Sequence, residues 1–191
     1  MFAFKKKYFL IIENTKDINL RNIKIRNKFI IIYRNNGKEE VFADLIKFRK
    51  SCKIKGISLF IANDTNLAVK LNSDGIYLSA KNHDFKPLNF KRRSFSIIGS
   101  AHNFKEIELK RKQGCKYILL SRLFRVSYKP NLNFLGINKF NNYTFKVFGK
   151  IVPLGGINFS NFRKLRLVRS DSFAIMSEVK KKPAKIINRL F

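Results

Sequence analysis

Lys150-Ile151-Val152-Pro153-Leu154-Gly155-Gly156-Ile157-Asn158-Phe159-Ser160-Asn161 is an apolar run that ends in Gly-Gly and passes at once into a helix-start signal. Asn158 or Ser160 can cap a helix by accepting its first free N–H groups. Gly155 and Gly156 let the backbone approach a ligand with no Cβ in the way. Bare N–H groups at a helix start, with the positive end of the helix dipole, make a seat for phosphate. A tight strand-to-helix turn with no ligand carries the same signature. Position in the chain favours the phosphate seat. The stretch is the second-to-last of a series of strand-like runs, where a barrel of alternating strands and helices keeps its phosphate site.

Outward from it, short apolar runs recur at Tyr8–Glu13, Lys28–Arg34, Gly56–Asn63, Gly75–Leu78, Phe95–Gly99, Lys116–Leu120, Ile151–Leu154 and Ser172–Met176. They are β-branched or aromatic and nearly continuous, as in strands buried on both faces of a parallel sheet. Helical spacing falls between several of them, at Glu39–Lys53, Asn66–Asn72, Asn103–Gln113, Ser160–Val168 and Glu178–Leu190, the last interrupted by Pro183. Asn14–Asn27 and Lys81–Ser94 must hold weak crossovers, and Asn131–Lys150 is polar, Asn-rich and poorly periodic. Alternation of this kind implies βαβ units. Eight strands predict an α/β fold, a (β/α)8 TIM barrel with shortened helices, because 191 residues fall just under the ~200 at the short end of that fold. A flavodoxin-like open sheet is the alternative and needs only five strands.

The whole chain, 1–191, reads as a single domain. No apolar run approaches the ~18 residues of a membrane span. The basic start through Lys7 is followed by an apolar part too short for a signal peptide, which ends in Glu13; a cytoplasmic protein is expected. Cys52 and Cys115 lack metal or CxxC spacing and read as reduced, buried thiols. With His83 and His102 as the two histidines, a His-rich metal site is excluded. Against 12 Asp+Glu stand 41 Lys+Arg, a positive field that attracts polyanions. The chain is also rich in Lys, Asn, Ile and Phe, which an AT-rich coding sequence produces with no partner in view, so charge alone gives no function.

In a barrel the site lies at the C-terminal ends of the strands. Those ends are Arg34, Asn63-Asp64, Ser79 to Asn82, Ser100-Ala101-His102, Ser121 to Lys129, Gly155-Gly156 and Ser177. The set is polar and mostly cationic, with one obvious carboxylate, and suits phosphorylated ligands.

These stretches, in this order, resemble the thiamine phosphate synthase and thiazole tautomerase superfamily. Ile61-Ala62-Asn63-Asp64-Thr65-Asn66-Leu67-Ala68 is similar to the family's Ile-Asn-Asp…Leu-Ala segment, and Ser73-Asp74-Gly75-Ile76-Tyr77-Leu78 to its Ala-Asp-Gly-Val-His-Leu. Ile98-Gly99-Ser100-Ala101-His102-Asn103 resembles Gly-x-Ser-x-His with one residue shifted, and Gly114-Cys115-Lys116-Tyr117-Ile118 resembles Gly-Ala-Asp-Tyr-Val. Leu154-Gly155-Gly156-Ile157-Asn158 matches the Gly-Gly-Ile turn, and Phe173-Ala174-Ile175-Met176-Ser177 the final strand and its serine.

The resemblance implies a (β/α)8 barrel that joins hydroxymethylpyrimidine diphosphate to a thiazole phosphate, with pyrophosphate leaving and Mg²⁺ assisting. It implies that Arg34, Asn63, Ser100 and Lys129 hold the pyrophosphate, that Asp64 ligates Mg²⁺, and that Gly155-Gly156 and Ser177 seat the thiazole phosphate. Each has a plainer reading: Arg34 or Lys129 as a solvated charge, Asp64 as a helix cap, Ser100 and Ser177 bonded to local backbone. The departures are specific. Ile32 and Asn36 replace the Gln and Lys around Arg34, and Asn82 stands at the place of the second Mg²⁺ carboxylate. The loop Ser121-Arg122-Leu123-Phe124-Arg125-Val126-Ser127-Tyr128-Lys129 keeps Phe124 and Lys129 and loses a threonine at Val126. Two or more carboxylates usually hold a catalytic Mg²⁺, so Asp64 alone would hold it weakly.

Three readings stand. The first is a diverged synthase, a transferase in which Lys81, Arg122 and Arg125 supply positive charge in place of a weakly held metal. The second is a thiazole tautomerase in which His102 moves protons. The third is a non-catalytic barrel that binds anions or RNA through its surface charge, although no nucleic-acid motif is present.

Overall fold

The computed structural model describes residues 7–23, 27–35, 37, 40–90, 95–126, 131–147, 149–177 and 179. Eight strands run through it: β1 Lys7–Ile12, β2 Phe29–Tyr33, β3 Ser58–Ala62, β4 Gly75–Leu78, β5 Ser96–Ala101, β6 Tyr117–Ser121, β7 Lys150–Leu154 and β8 Ser172–Ile175. Each lies parallel to the next, and β8 returns to β1 to close the barrel. Leu10 of β1 faces Ile31 of β2 on one side and Ile175 of β8 on the other. The strands coincide with the eight apolar runs, and the closed ring excludes the open sheet.

Both faces of the strands are buried, which is why the runs are continuous rather than alternating. Phe9, Ile11, Ile30, Ile32, Phe60, Tyr77, Ile98, Leu119, Val152 and Ala174 fill the barrel. Their neighbours Tyr8, Leu10, Ile12, Phe29, Ile31 and Phe173 point outward into a second layer with Leu45, Ala68, Ile107 and Phe140 from the helices. The barrel is thus a packed cylinder.

Among the described residues four α-helices surround it: α1 Phe42–Ile54, α2 Thr65–Lys70, α3 Phe104–Lys112 and α4 Gly136–Lys146. Asn103 caps α3, its Oδ1 accepting from the Glu106 N–H at 2.9 Å. The weak crossovers are 3-10 turns, at Thr15–Asp17 and Leu20–Asn22 after β1 and at Lys86–Asn89 after β4. The first pair still buries Ile18, Leu20 and Ile23.

Two expectations need correction. Asn131–Lys150, read as poorly periodic, contains α4, whose buried Phe140 and half-buried Leu135, Ile137 and Tyr143 supply an apolar stripe beneath the asparagines. Ser160–Val168 is a 3-10 helix, Phe162–Leu167, rather than an α-helix. The expected helix Glu178–Leu190 lies almost entirely outside the described residues.

Candidate functional site at the barrel mouth

Three strand ends converge around Tyr77. This phenol is 2% exposed on the inner face of β4. Burial raises its pKa, while a hydrogen bond with the Ser100 side chain and the charge of Arg34 pull the other way. Ser100 is itself buried at the end of β5. Arg34 follows β2, its N–H donating to Ile12 O at 2.8 Å, and it is exposed. One guanidinium and two hydroxyls from β2, β4 and β5 therefore share one end of the barrel. Tyr77 escaped the sequence reading because an aromatic in a strand reads as core; its hydroxyl was the overlooked signal.

β3 joins the same rim. Asn63 has a left-handed backbone (φ 58°), a conformation that asparagine tolerates better than most residues. It places the side chain against the loop after β4: Oδ1 accepts from the Ser79 N–H at 2.9 Å and from Asn82 Nδ2 at 3.1 Å. Asp64 is the N-cap of α2, its Oδ1 accepting from the Leu67 N–H at 2.8 Å. The plainer reading of Asp64 thus describes its present bond. Among the described residues no three His, Cys, Asp or Glu side chains group to hold a metal ion. With Asp64 Oδ1 on the Leu67 N–H and Asn82 uncharged, the described rim residues offer one carboxylate, which would hold Mg²⁺ weakly and only together with substrate phosphates.

The Gly-Gly turn is built by close approach. Gly155 (φ +92°) and Gly156 (φ +69°) both lie in the left-handed region, and a Cβ on Gly156 would sit 2.4 Å from Phe124 O. The loops after β6 and β7 are stitched by Leu123 N–H to Leu154 O at 2.9 Å and Phe124 N–H to Gly155 O at 3.1 Å. Arg122 packs its aliphatic stem on Gly155, and its Nε is buried with no hydrogen-bond partner. An orphaned donor of this kind asks for an explanation, and an anion is one.

The expected helix start is different in kind. Asn158 Oδ1 accepts from the Ser160 N–H at 3.0 Å and the Asn161 N–H at 3.2 Å, closing a turn, and Asn161 Nδ2 donates to Gly156 O at 2.7 Å. Neither Asn158 nor Ser160 caps an α-helix, so this turn does not itself open one; what it offers is the glycines and Arg122.

His102 follows β5 directly and is tied to the start of α3. Its backbone N–H and its ring Nδ1 both meet Glu106 Oε2, at 2.7 and 2.9 Å. Burial would raise the Glu106 carboxyl, but the His102 contacts and the Asn103 amide outweigh it and hold the pKa low. Arg125 and Ser177 are exposed on the rim, and Lys129 lies outside the described residues.

The fold and its crowded rim define a (β/α)8 barrel with polar and cationic residues gathered at the C-terminal ends of its strands. The family profile for thiamine monophosphate synthase matches residues 6–179, and the chain belongs to that family. It is 30% identical over 145 residues to the thiamine-phosphate synthase of Prochlorococcus marinus strain SARG, covering 73% of this chain and 41% of that one. The chain thus spans about two fifths of that relative's length. Against the thiamine-phosphate synthase of Pelagibacter ubique it is 29% identical, covering 97% and 96% of the two chains. A solved thiamine phosphate pyrophosphorylase from Pyrococcus furiosus superposes with a TM-score of 0.77 at 17% identity, over 98% of each chain. No helix among the described residues is long and apolar enough to cross a membrane.

Proposed function

We propose that this chain is a diverged thiamine phosphate synthase acting on a phosphorylated pyrimidine and a phosphorylated thiazole. The bond from the pyrimidine's methylene carbon to the diphosphate oxygen breaks. Pyrophosphate leaves with the electron pair, and the thiazole nitrogen attacks the methylene carbon, giving thiamine phosphate. The barrier is charge separation, and fixed donors aimed at the departing oxygens are the largest lever on it. Arg34, Ser100 and Asn63 would take the pyrophosphate, with Tyr77 holding Ser100 in place. Gly155, Gly156, Arg122 and Ser177 would take the thiazole phosphate. Lys81 and Arg125, exposed on the neighbouring loops, would add the positive charge that a weakly held Mg²⁺ does not.

The observation that carries this reading is the buried Arg122 Nε with no hydrogen-bond partner, its stem packed on the Gly155-Gly156 turn. Arg34, whose charge lowers the pKa of the buried Tyr77 phenol, supports it from the other side of the mouth. Purified protein with both substrates should form thiamine phosphate, followed by chromatography. Arg34→Ala should lower kcat/KM by about 10²–10³-fold, the scale of losing one oxyanion donor. Absence of product with or without Mg²⁺ ends the proposal.

A further inference from the structure

We infer that the opposite, N-terminal floor of the barrel is a second anion site that takes a small, multiply charged phosphate of pyrophosphate size. Lys7, Tyr117 and Lys150 are the first residues of β1, β6 and β7. They share the inward alternation of Phe9, Leu119 and Val152, which fill the barrel. Tyr117 seats its ring edge-on against Phe9 at 5.1 Å, and Lys150 Nζ lies 5.4 Å from the centre of the Tyr117 ring. Lys7 Nζ donates to Asn27 O at 2.5 Å. A cleft of about 290 Å³ opens at this floor, lined by Tyr117, Lys150, Arg169, Ser170, Asp171 and Ser172.

The electrostatics are those of a site that holds like charges together. The Lys7 amine sits below the usual lysine pKa through burial first, then through the charges of Lys116 and Lys150. Four cations, Lys7, Lys116, Lys150 and Arg169, stand around this floor, and Asp171 is the carboxylate in the cleft lining. Grouped ammonium charges repel one another, and a bound anion reverses that cost. The cleft lies just under the ~300 Å³ lower end of drug-sized pockets, which suits an inorganic phosphate rather than an extended chain. The Tyr117 face is taken by Lys150, so it is not the open stacking platform on which single-stranded nucleic acid depends.

The test uses the full chain, pyrophosphate as probe and low salt without Mg²⁺. Calorimetry on Arg34→Ala, which weakens the mouth, should still show one pyrophosphate site. Lys116→Gln/Lys150→Gln should weaken that site at least tenfold; both lysines are exposed, so the variant keeps its fold, as circular dichroism will check. In wild type the Lys7 ε-carbon NMR titration should move to higher pH when pyrophosphate is added. The inference is overturned if Arg34→Ala abolishes all pyrophosphate binding, or if the Lys7 titration does not respond. It is equally overturned if a single-stranded oligonucleotide binds this face more tightly than pyrophosphate.

Discussion

Lys110 is the sharpest place to test the energetics of the rim. Its side chain is fully buried beneath the loop that carries Asn82. Nζ donates to Asn82 O at 2.6 Å and to Gln113 Oε1 at 2.8 Å. Gln113, also fully buried, donates through Nε2 to Asn82 O at 3.2 Å and to Asp84 O at 2.8 Å. The pocket exists because β5 has Gly99 there: a Cβ would stand 2.8 Å from both Lys110 Cδ and Cys115 Sγ. An ammonium group is thus held by neutral oxygens to clamp a loop whose Asn82 side chain reaches Asn63.

Removing one partner or the other should cost very different amounts. Lys110→Met keeps the length and removes the buried charge. Asn82 O retains the Gln113 donor, and Gln113 Oε1 is left unpaired, about 1–3 kcal/mol, partly offset because no charge is desolvated; a net loss of about 1 kcal/mol is expected. Gln113→Leu strands the ammonium on one acceptor and orphans Asp84 O, so about 3–5 kcal/mol is expected. Lys110→Met/Gln113→Leu should be more stable than Gln113→Leu alone. Urea unfolding by linear extrapolation measures all three.

The pH dependence has a definite sign. Burial lowers the Lys110 pKa against smaller raising effects of Cys115 and Glu106. The folded state therefore binds fewer protons than the unfolded state between the lowered value and the ordinary 10.5. The wild-type stability advantage over Lys110→Met should rise with pH across that window. Lys110→Met costing as much as Gln113→Leu, with a flat pH difference, would refute the clamp.

Gly156→Ala should cost about 2 kcal/mol or more, from a left-handed alanine and a Cβ 2.4 Å from Phe124 O; a variant as stable as wild type in thermal melts would contradict the close approach. Burial pushes the Cys52 and Cys115 thiols up to about 12, so alkylation at pH 8 should be negligible in the folded protein and should track unfolding in urea. Rapid labelling without denaturant would show that these thiols are accessible.

The barrel was legible because strands buried on both sides leave continuous β-branched and aromatic runs, and nothing else in the chain has that composition. The helices were less so. α4 was hidden by asparagines that lower propensity while Phe140 supplies the packing, and tertiary contact outweighed the local signal. The segment after Gly156 carries good capping residues, yet Asn158 spends its oxygen on a tight turn and the chain winds into 3-10 form. Arg34, Asn63 and Ser100 stood out as candidates because they lie at strand ends. Lys110 was not, because a lysine in the last turn of a basic helix looks like a solvated charge; only Gly99 across from it marks the space it enters.

The acidic residues explain why the mouth stays so cationic, and they lead to a last prediction. Asp64 caps α2, Asp74 pairs with Arg49 at 2.8 Å, Glu106 holds His102 and Asn103, and Glu40 binds the Thr15 hydroxyl. Asp17 accepts from the Glu13 and Asn14 N–H groups. The +29 net charge already counts all 12 carboxylates. These five bond to helix ends, backbone N–H groups, a hydroxyl and one arginine, and none of these bonds reaches Arg34, Arg122 or Arg125. If side-chain cations replace metal charge on the pyrophosphate, the proposed reaction should respond more to salt than to chelation. Raising ionic strength from about 0.02 to 0.5 M shortens the screening length from tens of ångströms to a few; kcat/KM should fall by tenfold or more over that range. EDTA at low salt should cost less than that, because the cations on the protein remain. A rate that vanishes with EDTA and hardly changes with salt would mean that the metal carries the charge, and that the lysines and arginines around the mouth are bystanders.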